Sequence, residues 1–163
     1  MSEELTYAQS PPMTEKELQS YLKTTKIARI CSLNHDGTIH VAPVWYNYEN
    51  GEIVIVTSES SRKARNVKRN SNVTILIDTS EDKAQAPKGV MIYGKAKLGT
   101  WSPSTPELLA LLERYMRRSE AGAYARTMFK LAKWVKITVK PERTRSFDFK
   151  KTGATHMATQ ERK

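Results

Sequence analysis

Two turn signals, set between three runs of apolar residues, constrain this chain more than any other feature. Ile27–Leu33 is followed by Asn34-His35-Asp36-Gly37, Ile39–Tyr48 by Glu49-Asn50-Gly51, and Ile53–Thr57 completes the series. Asn, Asp and Gly tolerate the positive φ that tight connections require, so strands joined this way run antiparallel. Pro43 has no N–H to give a ladder and marks an edge, bulge or bend in the second run. Val73–Asp78 and Val90–Leu98 continue the alternation, the latter with a bend expected at Gly94. Trp134–Val139 follows; Pro141 is expected to end it, leaving Arg145–Phe149 as a short final strand.

Helices are predicted at the margins. Thr14-Glu15-Lys16-Glu17 has capping-box spacing after Pro11 and Pro12, with Leu18, Tyr21 and Leu22 on one face. Pro103 and Pro106 open a helix carrying Leu108, Leu109, Leu111, Leu112 and Tyr115, and a second piece is expected over Glu120–Leu131. The inventory is mainly β: a small antiparallel barrel of six to seven strands with peripheral helices. We expect one domain over 14–149, an N-terminal tail over 1–13 and a disordered basic tail over 150–163.

Composition removes several function classes. No purely aliphatic run exceeds the five residues Leu108–Leu112, so no membrane span is expected, and the polar N-terminus points to the cytoplasm. Cys31 is the single cysteine, which excludes an intramolecular disulfide; it reads as a small buried core residue. His35, His40 and His156 lack metal-ligand spacing. The net charge of +10 gathers in 62–70 and in 126–151, where nine Lys and Arg meet only Glu142 and Asp148. Such a field suits nucleotides, nucleic acid or another polyanion without choosing among them.

The stretch Thr57–Asn70 narrows the choice. An apolar strand ends in hydroxyl residues and opens a helix whose first turn carries Arg62 and Lys63. Ser58, Ser60 and Ser61 are available as caps, and the first amides of a helix have no intrahelical acceptor. Unpaired amides, the positive dipole end and two cations make a site for a phosphate group.

In this setting, residues 27–98 resemble the pyridoxamine 5′-phosphate oxidase-like proteins, the FMN-binding split β-barrels. The resemblance rests on Ile27–Leu33 with its Asp36-Gly37 turn, on His40–Tyr46, on Thr57–Asn70 with the Ser61–Asn66 core, and on Gly89–Ala96. Residues 135–149, with Pro141-Glu142-Arg143, are similar to the family's closing strands. The resemblance implies a homodimer with flavin sites at its interface and FMN as cofactor. It assigns Arg62 and Lys63 to the phosphate, helped by Thr57 and Ser58, and places Pro43, Val44, Trp45 and Val56 along the ring. Asn66 joins this set, with fixing the loop as its alternative role.

One departure bears on the reaction. Members that oxidise pyridoxamine phosphate carry an Arg and a Lys on the second strand, where this chain has Ala42 and Asn47. The chain is more similar to the flavin- or deazaflavin-dependent reductases of the family. Hydride exchange at the ring needs orientation and water exclusion rather than a catalytic constellation, and none stands out. His40, Tyr46 and Tyr48 are the only candidate acids or bases near the site. The expectation is thus an FMN-dependent oxidoreductase acting on a small molecule. The alternatives are the same fold using the deazaflavin coenzyme F-420, whose oligoglutamate tail suits a basic chain, and a basic module that binds nucleic acid or another polyanion.

Overall fold

The structure, a computed structural model, describes residues 11–24, 27–79 and 87–151. Six strands, β1 (Ile27–Leu33), β2 (Ile39–Glu49), β3 (Glu52–Ser58), β4 (Asn72–Asp78), β5 (Lys88–Thr100) and β6 (Trp134–Asp148), close an antiparallel barrel in the order β1-β2-β3-β6-β5-β4. The four helices are α1 (Glu15–Thr24), α2 (Arg62–Arg69), α3 (Pro106–Glu113) and α4 (Arg118–Leu131). Most of the expected tails, 1–10 and 152–163, and most of the polar loop after Thr79 lie outside the described residues. Among the described residues no helix is long and apolar enough to cross a membrane.

The turns work as their residues predict. Gly37, Asn50 and Gly51 all have positive φ, and Asp36 Oδ1 accepts from the Thr38 amide at 3.0 Å. Alternate residues of each strand then point inward, so Ala28, Ile30, Tyr46, Ile53, Ile55, Ile75, Ile77, Ile92 and Ile137 fill the barrel. Helix α1 adds Tyr21 and Leu22 to that core. Its start is a reciprocal capping box: Glu17 Oε2 accepts from the Thr14 amide at 2.7 Å, and Thr14 Oγ1 from the Glu17 amide at 3.3 Å. Met13, placed in the tail by the sequence reading, is also buried in the core, and its amide donates to Ser146 Oγ.

Two expectations are corrected. Pro141 does not end a strand: β6 runs unbroken for 15 residues, and no separate strand forms at 145–149. Beyond Val139 this strand pairs only with β5, so the missing proline N–H costs no bond on the β3 side. Pro141 faces Gly94 at a register shift that leaves Glu142 over, and a Cβ on Gly94 would lie 2.2 Å from the Lys140 carbonyl oxygen. Cys31 is the other correction. It sits at an outward position of β1 between Ile30 and Ser32, half-buried in a surface hollow of about 310 Å³.

Helices α3 and α4 form an insertion between β5 and β6 with its own core, in which Leu108, Leu111, Leu112, Ala121, Ala125 and Met128 pack with Val54. Strand β3 is therefore buried on both faces, Ile53 and Ile55 within the barrel and Val54 beneath the insertion. A strand covered on both sides reads as a continuous aliphatic run.

Gly94→Ala is expected to destabilise the fold by about 1–3 kcal/mol through overpacking against fixed backbone; a urea midpoint equal to wild type would remove that account. Acid stability provides a second check. Hydrogen bonds from Lys151 and from Thr14 hold the exposed Glu17 carboxyl down from 4.5 to about 2. A depressed carboxylate contributes stability above its unfolded pKa and loses it as pH falls through the folded value. Denaturation midpoints of Glu17→Gln should therefore vary less than those of wild type between about pH 4.5 and 2.

Candidate cofactor site

The seam between β2 and β3 is short. Strands β2 and β3 pair only from Tyr46↔Ile55 to Glu49↔Glu52, after which they diverge. The rest of β2 pairs with β1 alone, which is where Pro43 is tolerated. In this opening lies a cavity of about 510 Å³, walled by Pro43, Val44 and Trp45 from β2, by Val56, Thr57 and Ser58 from β3, and by Lys63 of α2.

The polar end of the cavity is built by the step from β3 into α2. Ser61 is the N-cap; its hydroxyl accepts from the Ala64 amide at 3.2 Å and from Thr57 Oγ1 at 3.1 Å. The Arg62 and Lys63 amides then occupy the helix positions that have no intrahelical acceptor. Glu59 fastens the loop from outside, its amide donating to the Lys133 carbonyl at 2.9 Å and its carboxylate pairing with Lys133 Nζ at 2.8 Å. Lys63 is half-buried, with no carboxylate among the residues that line the cavity. Burial lowers the pKa of its ammonium group, the direction expected for a cation desolvated without a counterion.

Pro43, Val44, Trp45 and Val56 are joined in the apolar part of the lining by residues not expected there from the sequence. Tyr124 and Met128 reach the cavity from α4, and Trp134 from the start of β6. Trp134 is fixed by its indole N–H, which donates to the Met128 carbonyl at 2.7 Å. An apolar residue on a helix more than 60 positions from the motif carries no local signal of a ligand, so only the closed chain reveals these three.

The other sequence-predicted residues fall elsewhere. Arg62 is exposed and outside the cavity lining; hydrogen bonds from Thr38 hold the Asp36 carboxyl below its ordinary range, and the Arg62 charge adds the smallest share. Asn66 is buried and fixes the loop: its amide donates to Ser32 Oγ at 3.1 Å and to Asn34 Oδ1 at 3.0 Å, tying α2 to the β1–β2 turn. The three candidate acids and bases do not line the cavity. Tyr46 is wholly buried and donates to the Leu22 carbonyl at 2.8 Å, and burial pushes its phenol pKa up. Tyr48 Oη accepts from Gln19 Nε2 at 2.9 Å, and His40 stands opposite Ser32 in the β1–β2 ladder.

A closed six-stranded antiparallel barrel with a cationic, hydroxyl-rich turn beside its cavity defines the fold and the candidate site. The family profile described as pyridoxamine 5′-phosphate oxidase matches residues 14–146, and the chain belongs to that family. Its members bind flavins generally and include oxidoreductases. Among solved structures, a conserved hypothetical protein from Mycobacterium tuberculosis is 27% identical, with a TM-score of 0.72, covering 90% of this chain and 91% of its own. An F420 reductase (18% identity, TM-score 0.58, 77% of this chain and 94% of its own) shares the fold. So does the heme storage protein of Vibrio cholerae (18%, 0.65, 83% and 96%). No curated protein matches the sequence.

The desolvated state of Lys63 can be read directly. Competitive acetylation followed by mass spectrometry should give Lys63 a midpoint below that of a free lysine, and inorganic phosphate should raise it. A midpoint at the free-lysine value would mean that the ammonium is fully hydrated.

Proposed function

We propose that the protein is a flavin-dependent oxidoreductase that holds FMN in the seam cavity and exchanges hydride with a small molecule. The observation that carries this reading is the polarity of the cavity. Lys63 and the hydroxyls of Thr57, Ser58 and Ser61 share the lining with Pro43, Val44, Trp45, Val56 and the aromatic Tyr124 and Trp134, and no carboxylate is among them. An anionic headgroup on a flat, weakly polar ring is the ligand such a lining accommodates, so the residues fit FMN.

Bound FMN supplies hydride exchange at its ring; the chain orients it and keeps out water. Lys63 neutralises the phosphate with a charge-assisted contact, while Ser58, Ser61 and the α2 amides supply hydrogen bonds and Thr57, donating to Ser61, holds that hydroxyl in place. Arg62 adds positive potential from the rim. Pro43, Val44, Trp45 and Val56 line the ring end with no group that ionises near neutral pH, which favours a neutral ring environment.

Coenzyme F-420 is the second reading, favoured by the concentration of cations over 126–151 and by the fold shared with an F420 reductase. We also propose a homodimer. Leu33, Ile39 and Val41 lie on the outer face of the β1–β2 hairpin, and Ile39 is 69% exposed, an apolar surface that a second copy would cover.

Purified protein incubated with FMN should acquire and retain a flavin spectrum that bleaches on reduction. Lys63→Ala should weaken FMN binding by about 10- to 100-fold, the equivalent of one charge-assisted hydrogen bond, and Arg62→Ala by less. Tighter binding of F-420 in parallel titrations would replace FMN with the deazaflavin; uptake of neither would end the flavin reading.

A further inference from the structure

The helical insertion does more than cover β3. Trp45 and Tyr115, the latter at the α3–α4 junction, stack face to face with ring centroids 4.6 Å apart and planes 5° from parallel. Tyr115 is itself pinned by its hydroxyl, which accepts from the Tyr46 amide at 2.9 Å and donates to the Tyr46 carbonyl at 3.1 Å. Both bonds go to the residue that follows Trp45, so the two rings are held in register with the strand that carries one of them. Arg114 secures the same junction, its guanidinium 5.0 Å over the Tyr46 ring. Tyr124 meets Trp45 at 6.2 Å with a 40° tilt. Trp45 lines the cavity and Tyr115 does not.

We propose that Tyr115 is a positioning residue for the ring end of the cofactor: by fixing the plane of Trp45 it sets the apolar wall that the ring meets, without touching the ligand. The inference rests on the flavin reading above and divides the site in two. The phosphate end answers to Lys63 and the β3–α2 hydroxyls. The ring end answers to the insertion, through the Trp45–Tyr115 stack as well as through Tyr124 and Met128, which line the cavity directly. Stacking takes one face of Trp45, and the side chain still lines the cavity.

Titrations of FMN and riboflavin against the full chain test this. Tyr115→Phe keeps the ring and removes both hydrogen bonds. It should weaken FMN and riboflavin by the same factor, roughly three- to tenfold for the loss of positioning bonds, whereas Lys63→Ala should weaken FMN alone. Trp45→Phe should also weaken both flavins equally. In the Trp45→Phe background, Tyr115→Phe should add less than about twofold, because a residue acting through another shows strong coupling in a double-mutant cycle. Wild-type affinity in Tyr115→Phe would overturn the proposal, as would an equal loss in both backgrounds. Unchanged affinity in Trp45→Phe overturns it even if Tyr115→Phe does not fold. A wild-type chain that binds neither flavin nor F-420 instead fails the reading on which the proposal rests.

Discussion

The divergence of β2 from β3 after the Tyr46↔Ile55 pair is the constraint on which the rest of the molecule depends. A closed antiparallel barrel has no free edge, and this one gives up closure along part of one seam. The backbone left open must be satisfied or covered, because a buried N–H or C=O without a partner costs as much as a lost hydrogen bond. Part of that need is met by a side chain, since the Tyr115 hydroxyl engages both polar groups of Tyr46. The remainder of the opening is space, and the cavity occupies it. The insertion and the cavity are thus two responses to one broken ladder.

Charge placement follows the same geometry. Helix α2 has few apolar residues, yet its inner side is firmly held, with Ala64, Asn66 and Val67 buried. Asn66 anchors it to β1 and the following turn, and Ser61 with Thr57 fixes its first turn against β3. The helix start is therefore held firmly, while among the described residues no carboxylate joins Lys63 in the cavity lining. Such preorganisation lets a site meet an anion with little loss of conformational freedom.

Much of this fold is legible in the sequence because period-two alternation is a direct record of one buried face. The β1–β3 hairpins, the α1 capping box and the Ser61 cap could all be read from short-range chemistry. Pro141 could not, because its effect depends on whether a neighbour requires its N–H, and that neighbour is more than 80 residues away along the chain. Cys31 misled for a related reason: in an apolar segment, inward and outward positions differ only by parity. At the site, residues on the local β3–α2 motif were visible, as were those on β2. Tyr124, Met128 and Trp134 were not, since on their own elements they look like ordinary packing residues. Asn66 stands in the motif with two roles open to it, and its bonds to Ser32 and Asn34 are those of a residue that ties the loop.

The length of β6 has a consequence for how the chain reaches this structure. Six of its 15 residues pair with β3 and nearly all of it with β5, so the sixth described strand in chain order is the one that joins the two arcs of the barrel. Until residues 134–148 emerge, β3 and β5 both present unpaired edges, and their closure joins segments far apart in sequence. Non-local pairing of this kind is slow, because loop entropy is lost before the contacts that offset it are made. The nascent chain must therefore pass through an open, edge-exposed sheet, the form in which strands are most prone to pair with the wrong partner.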